Sequence, residues 1–207
     1  MDVVLTLLVI FAVWQVLRAQ YQRTHIALLG SHLANLQLER HMETLTQGYT
    51  RAIHEADESR QIQVLETYAQ TERAVAAQLQ TLANSMQKES AQATRMGSLS
   101  FCVPYIERFL PGMTRDFREL LQIHATGLRH VVDNESGCDP KTRAFQLSAE
   151  LYLFQHSCHW FCKSRAVADA RLLIRHQVNH QKALDSVSSQ TRSGYLRWMQ
   201  GNGGSAN

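Results

Sequence analysis

An apolar segment at the N-terminus constrains this chain more than any other feature. Residues 3–17 read VVLTLLVIFAVWQVL, in which only two side chains are polar and none is charged. At about 1.5 Å per residue, residues 1–17 extend roughly 25 Å as a helix. A bilayer core about 30 Å thick takes about 17–25 residues. Trp14 and Tyr21 are of the type found at the interface. The sequence therefore predicts a short transmembrane anchor over residues 1–18.

Two other interpretations of this segment compete with a retained anchor. A cleaved signal peptide needs a basic start, whereas only Met1 and Asp2 precede the apolar run. The best cleavage site follows Ala19, but Leu17 stands two residues earlier, where a small residue is expected, and Arg18 lies between them. A buried core helix rarely begins at the first residue with no polar face. We therefore favour an anchor that is retained.

The flanking charges predict the orientation of the anchor. Arg18, Arg23 and Arg40 follow the apolar run, whereas Asp2 precedes it. The positive-inside rule then places most of the chain in the cytoplasm. A cytoplasmic location would keep the cysteines reduced, and the opposite orientation would make them candidates for two disulfides. The cysteines are Cys102, Cys138, Cys158 and Cys162.

The region that follows, residues 19–96, has the composition of long helices. It contains no proline and is rich in Ala, Leu, Gln, Glu and Arg. Its seven basic and eight acidic residues nearly cancel, as on a solvated helix. One stretch has a heptad-like rhythm, formed by Leu65, Tyr68, Val75, Leu79, Leu82 and Met86. Glu72 occupies a position in this seam that a regular coiled coil would avoid. We predict a juxtamembrane helical or partly coiled-coil region.

A C-terminal helical domain is predicted over residues 97–199. Pro111 and Gly112 indicate a turn, and Thr114 with Asp116 two residues later is typical of a helix start, followed by an amphipathic pattern that runs to about Val132. Asp139 before Pro140 is typical of another helix start. From Lys141 to about Val187 the chain again lacks proline and glycine, which predicts continuous helix.

The last helix is expected around residues 195–199, and residues 200–207 form a polar, disordered tail. No strand-like alternation is long enough to predict a sheet. The predicted fold class is therefore all-α, either as an antiparallel bundle or as an extended rod.

The densest cluster of reactive side chains is HSCHWFC, residues 156–162. Cys158 and Cys162 are four residues apart and share one face of a helix, whereas His159 points about 100° away. Tetrahedral zinc needs four ligands, or three and an open position. The missing ligands would have to come from other helices, from Cys102, Cys138 or His124. Because free cysteine is one of the most buried residue types, we interpret Cys158 as a core residue.

A second pair, His176 and His180, also has helical spacing. No glutamate lies between the two histidines, so the metalloprotease signature is absent. His176 follows Cys162 by 14 residues, roughly 21 Å on one straight helix, so the two pairs should not share an ion. A basic stripe of Arg171, Arg175 and Lys182 suits anionic lipid or phosphates, but we interpret it as a solvated face.

The chain carries no sequence signature of catalysis. Phosphate-binding loops, dinucleotide-binding glycines, a nucleophile elbow and kinase motifs are all absent. With a net charge of only +3 and no nucleic-acid motif, we expect no nucleic-acid partner. We predict no enzyme activity, no catalytic or metal-binding residues and no cofactor.

The leading hypothesis is a single-pass helical protein that scaffolds, regulates or blocks a larger inner-membrane complex. Its partners would be the bilayer and either a protein or a second copy of the chain. Apolar side chains such as Leu79, Leu82 and Met86 would fill the partner's groove. The alternative is a metal- or redox-responsive sensor built on Cys158 and Cys162 with nearby histidines. A helical enzyme is the third hypothesis.

Overall fold

The computed structural model describes residues 2–201 and is 76% helical, which confirms the all-α prediction. The helices are α1 (Asp2–Leu33), α2 (Leu38–Ile53), α3 (Glu58–Thr67), α4 (Ala69–Met86), α5 (Ile106–Phe109), α6 (Phe117–Val132), α7 (Pro140–Cys162), α8 (Arg165–His176), α9 (His180–Ser186) and α10 (Ser189–Gln200). Of the predicted tail, only Gln200 and Gly201 are described, and they end α10. The rest of the tail lies outside the described residues.

Two short strands, which the sequence did not predict, join distant parts of the chain. Strand β1 (Arg95–Gly97) pairs antiparallel with β2 (Thr114–Asp116). Each strand has three residues, too few for an alternating pattern to be visible in the sequence. The pair closes the loop of residues 98–113, which contains α5 and a 3₁₀ turn.

One hydrophobic core extends through the helical body. Helix α4 packs mainly against α6, and α6 packs against α7, where the Phe117 and Phe161 rings stack with centroids 4.2 Å apart. Leu79, Leu82 and Met86 are fully buried in this core. The expectation that these three side chains fill a partner's groove is therefore wrong. Their periodicity reflects packing within the chain.

The heptad-like stretch is divided between two helices. Helix α3 ends at Thr67, and Tyr68 stands between α3 and α4. The Tyr68 ring lies edge-on to Tyr49 at 5.9 Å and covers Gly48, where a Cβ atom would overlap it. The break lets α3 and α4 pack separately on neighbouring helices.

The predicted continuous helix from Lys141 to Val187 is wrong, because the structure breaks it twice. Helix α7 ends at Cys162, and the Ser164 side chain caps α8 by accepting a hydrogen bond from the Val167 N–H. Helix α8 ends where Gln177 takes a left-handed conformation, with φ 54°. Asn179 then caps α9. Both breaks let the following helix fold back against α7.

Candidate functional site

Helix α1 has two halves with different surroundings. Every side chain from Val3 to Leu17 is exposed, whereas Gln22, His25 and Leu29 are buried against the helical body. Among residues 2–201, α1 is the one helix long and apolar enough to cross a membrane, and none of its most apolar stretch is buried. The alternative of a core helix is therefore wrong.

The second half of α1 is fixed to the helical body by polar and aromatic contacts. The His25 ring nitrogens lie 3.0 and 3.2 Å from the carbonyl oxygens of Tyr21 and Arg95, and its ring packs edge-on against Phe161. The Gln22 side-chain amide donates to a backbone carbonyl just after α7. Because α1 is unbroken between its two halves, these contacts set the direction in which the apolar half projects.

Residues 98–113, called here the proximal loop, lie beside α1 where its apolar run ends. The Tyr21 hydroxyl donates to Glu107 at 3.3 Å, and the Tyr21 ring lies edge-on to Tyr105 at 5.4 Å. Lys163 donates to the Gln22 side chain at 3.3 Å. Tertiary packing thus brings cations and aromatics that are distant in sequence to the base of the apolar helix.

The Cys158 and Cys162 pair lines an apolar cavity between α1, α2 and α7. The cavity has a volume of about 280 Å³, and Leu29, Met42 and Phe154 are among the side chains around it. Burial raises the pKa of Cys162 to about 11 and the pKa of Cys158 well above its usual value. Burial therefore makes both thiols harder to deprotonate than an exposed cysteine, and the thiolate is the form that binds metals and attacks disulfides.

The other proposed ligands do not join this pair. All four cysteines are free. Cys102 lies in the proximal loop, Cys138 lies between α6 and α7, and His124 is buried and hydrogen-bonded to Ser157. Across residues 2–201, no group of three or more His, Cys, Asp or Glu side chains is placed to hold a metal ion.

The two histidines of the His176 and His180 pair have different neighbours. The His176 ring stacks on Tyr152 at 4.0 Å on one side of α7. His180 lies 4.5 Å from the His156 ring and hydrogen-bonds the Tyr195 hydroxyl at 2.9 Å. The prediction of one straight helix through both histidines is wrong, because α8 ends at His176 and α9 begins at His180.

His156 on α7 packs against His180 on α9, a contact that the sequence pattern did not indicate. Its Nε2 lies 2.7 Å from Asp169, while its Nδ1 is buried without a partner. Burial, followed by the neighbouring His156, lowers the pKa of His180 to about 4. The spacing from His156 to Asp169 has no helical regularity because the two residues lie on different helices, so no sequence signal marks this contact.

The basic stripe is divided by the break after α8. Arg171 and Arg175 lie on α8 and Lys182 lies on α9, so they do not share one helix. The Arg171 guanidinium donates to His159 Nδ1 at 3.0 Å. Burial first, and the arginine charge second, lowers the pKa of His159 to about 4. Neutral His159 therefore accepts this bond at physiological pH.

Two buried carboxylates have satisfied partners within the core. Glu72, the residue in the heptad seam, pairs with Arg143 at 2.9 Å and accepts a 2.6 Å hydrogen bond from Tyr49. Glu150 accepts bonds from Ser188 and Thr191. These contacts place both carboxylates in structural roles at helix junctions.

Comparisons of the chain with models of protein families, with curated proteins and with solved structures found no match.

Proposed function

We propose that this chain is a single-pass membrane protein whose helical body is held at the bilayer and acts by binding a protein partner, without catalysis. The observation that carries the proposal is the continuity of α1. Its exposed apolar half joins, without a break, a half that is docked on the core. Such an apolar surface has no favourable place in water, and a bilayer supplies one.

The docking of α1 argues for a retained anchor over a cleaved signal peptide. Cleavage after Ala19 would cut within a continuous helix. The new terminus would lie beside Tyr21 and Gln22, whose side chains contact the proximal loop and the end of α7. The charges that follow the span favour a cytoplasmic location for the body.

The partner surface has to use side chains outside the core. Helix α8 exposes Leu173 and Ile174, and the arginines Arg171 and Arg175 flank them. Apolar contact with flanking cations suits a partner helix that presents apolar and acidic side chains. We propose this surface in place of Leu79, Leu82 and Met86. We favour this proposal over a metal- or redox-responsive sensor, because among residues 2–201 no group of three or more His, Cys, Asp or Glu side chains is placed to hold a metal ion.

Carbonate extraction of the full chain tests the anchor. We expect the wild-type protein in the membrane pellet. An Ile10→Arg variant places a charge near the middle of the apolar run and costs about 3 kcal/mol of insertion free energy, roughly a hundredfold in partitioning. The matched control is Leu196→Arg, at an exposed position on α10. A wild-type protein that stays in the supernatant would refute the anchor. A topology reporter fused after residue 207 shows on which side of the membrane the helical body lies.

Crosslinking in native membranes, followed by mass analysis, tests the partner surface. We expect a crosslinked species that Ile174→Glu removes and Leu196→Glu preserves. Both positions are exposed, so neither variant should disturb the core. A lone monomer in every sample would contradict the proposal of a protein partner.

A further inference from the structure

We propose that the proximal loop is a second membrane contact, in which Phe101, Phe109 and Leu110 enter the headgroup region of the leaflet that α1 leaves. This inference rests on the proposed anchoring of α1 and adds an orientation for the body. The occupant is the lipid surface itself, which the loop's position, its exposed side chains and the length of the apolar run all favour.

The proximal loop lies next to α1 at the point where the apolar run ends. The loop contacts α1 at Tyr21, one turn beyond Leu17, through Glu107 and Tyr105. On its other side, the Ser100 carbonyl accepts a hydrogen bond from the backbone at the start of α8. A membrane crossed by residues 3–17 would therefore have this loop at its surface.

The loop exposes several large apolar side chains. Every residue from Arg108 to Met113 is exposed, and Phe109 and Phe101 are 77% and 62% exposed. Aromatic side chains are enriched at the membrane interface, where an apolar ring meets the headgroups. In water these side chains would form an unfavourable apolar patch at one end of the molecule.

Cations surround this apolar surface. Arg108 is exposed in the loop with its guanidinium 5.1 Å from the centre of the Tyr105 ring. Arg18 follows the apolar run directly, and Lys163 lies within hydrogen-bond distance of Gln22 on α1. Lysine and arginine near the surface of an anionic leaflet favour binding. The mixture of rings, aliphatic side chains and cations matches a lipid interface better than a uniformly charged partner.

The length of the apolar run favours the same contact. At about 1.5 Å per residue, Val3–Leu17 extends about 22 Å, which is shorter than a hydrocarbon core of about 30 Å. A span that is too short draws its flanking residues toward the bilayer. Because α1 is fixed to the body beyond Tyr21, the proximal loop is drawn to the surface with it.

Photolabelling of the full chain in lipid vesicles tests the inference. The vesicles contain phosphatidylcholine, phosphatidylglycerol and a phospholipid with a diazirine on its acyl chain, and mass spectrometry locates the label. We expect label in residues 3–17 and also at Phe101, Phe109 and Leu110. Ile174, 82% exposed on α8, serves as an internal control that should remain unlabelled.

A pair of double variants makes the test specific. Phe109→Ser with Leu110→Ser should reduce labelling of the loop by about tenfold, since both apolar contributions to membrane transfer are lost. Labelling of residues 3–17 should not change. The matched control, Leu173→Ser with Ile174→Ser, should leave both regions labelled. All four side chains are exposed, so circular dichroism should report the same helicity for every variant.

The outcomes separate this inference from the proposed anchor. Label in residues 3–17 with none in the proximal loop would overturn the second contact and leave the anchor standing. The same result is expected if a protein, and not lipid, covers the loop. An absence of label from both regions would refute the anchor and this inference together.

Discussion

Glu150 gives the sharpest prediction about pH. This side chain on α7 is buried, and its Oε1 accepts hydrogen bonds from the Ser188 N–H and hydroxyl at 3.1 and 2.8 Å. Its Oε2 accepts from the Thr191 hydroxyl at 2.9 Å. Burial raises the pKa of Glu150 from 4.5 to about 7, although these hydrogen bonds act in the opposite direction.

The raised pKa makes the free energy of unfolding fall as the pH rises. Below pH 4.5 the Glu150 carboxyl is protonated in both states. Between pH 4.5 and about 7 the unfolded chain releases the proton while the folded chain keeps it. At about 1.36 kcal/mol for each pH unit, the difference amounts to roughly 3 kcal/mol. Above pH 7 this group adds no further change.

The Glu150→Gln variant removes this proton release with little change in shape. A glutamine accepts the Ser188 N–H bond through its oxygen and donates to Thr191 through its amide. We expect the stability of the variant, relative to wild type, to rise by about 3 kcal/mol between pH 4.5 and pH 7. Urea denaturation of the full chain in detergent micelles, followed by circular dichroism, measures this difference.

A matched control distinguishes Glu150 from other titrating groups. Glu66→Gln removes an exposed carboxyl on α3, so any pH-dependent change in stability that it shares with Glu150→Gln does not arise from burial of the carboxyl. A constant difference between Glu150→Gln and wild type across the same range would refute the reasoning, because it would mean that folding does not shift the pKa of this carboxyl.

Three further predictions concern buried side chains. His124→Leu should resist acid, because burial lowers the pKa of His124 from 6.5 to about 3 and wild type loses stability as the pH falls between these values; acid titration by circular dichroism measures this. Arg143→Met should lower the unfolding free energy by about 3–5 kcal/mol by leaving Glu72 buried and unpaired, and replacing both residues by Met should recover much of the loss in urea denaturation. Leu82→Ala should cost about 2–5 kcal/mol in the same assay; loss of partner crosslinking at unchanged stability would contradict its assignment to the core.

Helix starts were the part of the fold best predicted from local sequence. Asp139 caps α7 as expected, and its side chain accepts hydrogen bonds from two backbone N–H groups of the first turn. Helix α6 begins near the predicted start, but Thr114 lies in β2 and the cap is Asp116, which accepts a hydrogen bond from the Arg118 N–H. A cap depends on a side chain and the backbone two or three residues later, so the sequence contains all of the relevant atoms.

Helix ends without proline or glycine were missed. Gln177 takes a left-handed conformation that costs a non-glycine residue energy, and two features offset this cost. Its N–H caps α8 by donating to the Leu173 carbonyl, and α8 and α9 both pack against α7. Ser164 and Asn179 are good cap residues and were an available signal. The prediction of one long helix gave more weight to the absence of proline and glycine than to these two cap residues.

The same distinction between local sequence and long-range packing applies to the candidate surfaces. An exposed apolar helix at the N-terminus was predictable, because residues 3–17 supply the apolar surface with no help from the remainder. The position of the proximal loop was not predictable, because it depends on contacts of Tyr105 and Glu107 with Tyr21, which lies more than eighty residues earlier in the chain. In the sequence, Glu72 interrupts the apolar seam of the heptad pattern. The structure explains it, because Arg143 on α7 forms an ion pair with this carboxylate.

By itself, the sequence determined that the chain is helical, that its first segment is apolar enough to span a membrane, and where several helices begin. These properties depend on composition and on contacts within a few residues. Tertiary structure decided which apolar stripe is core, where Lys141–Val187 bends, and which distant side chains meet at the base of α1. Those outcomes depend on packing between residues far apart in the chain, and local periodicity carries no information about such distances.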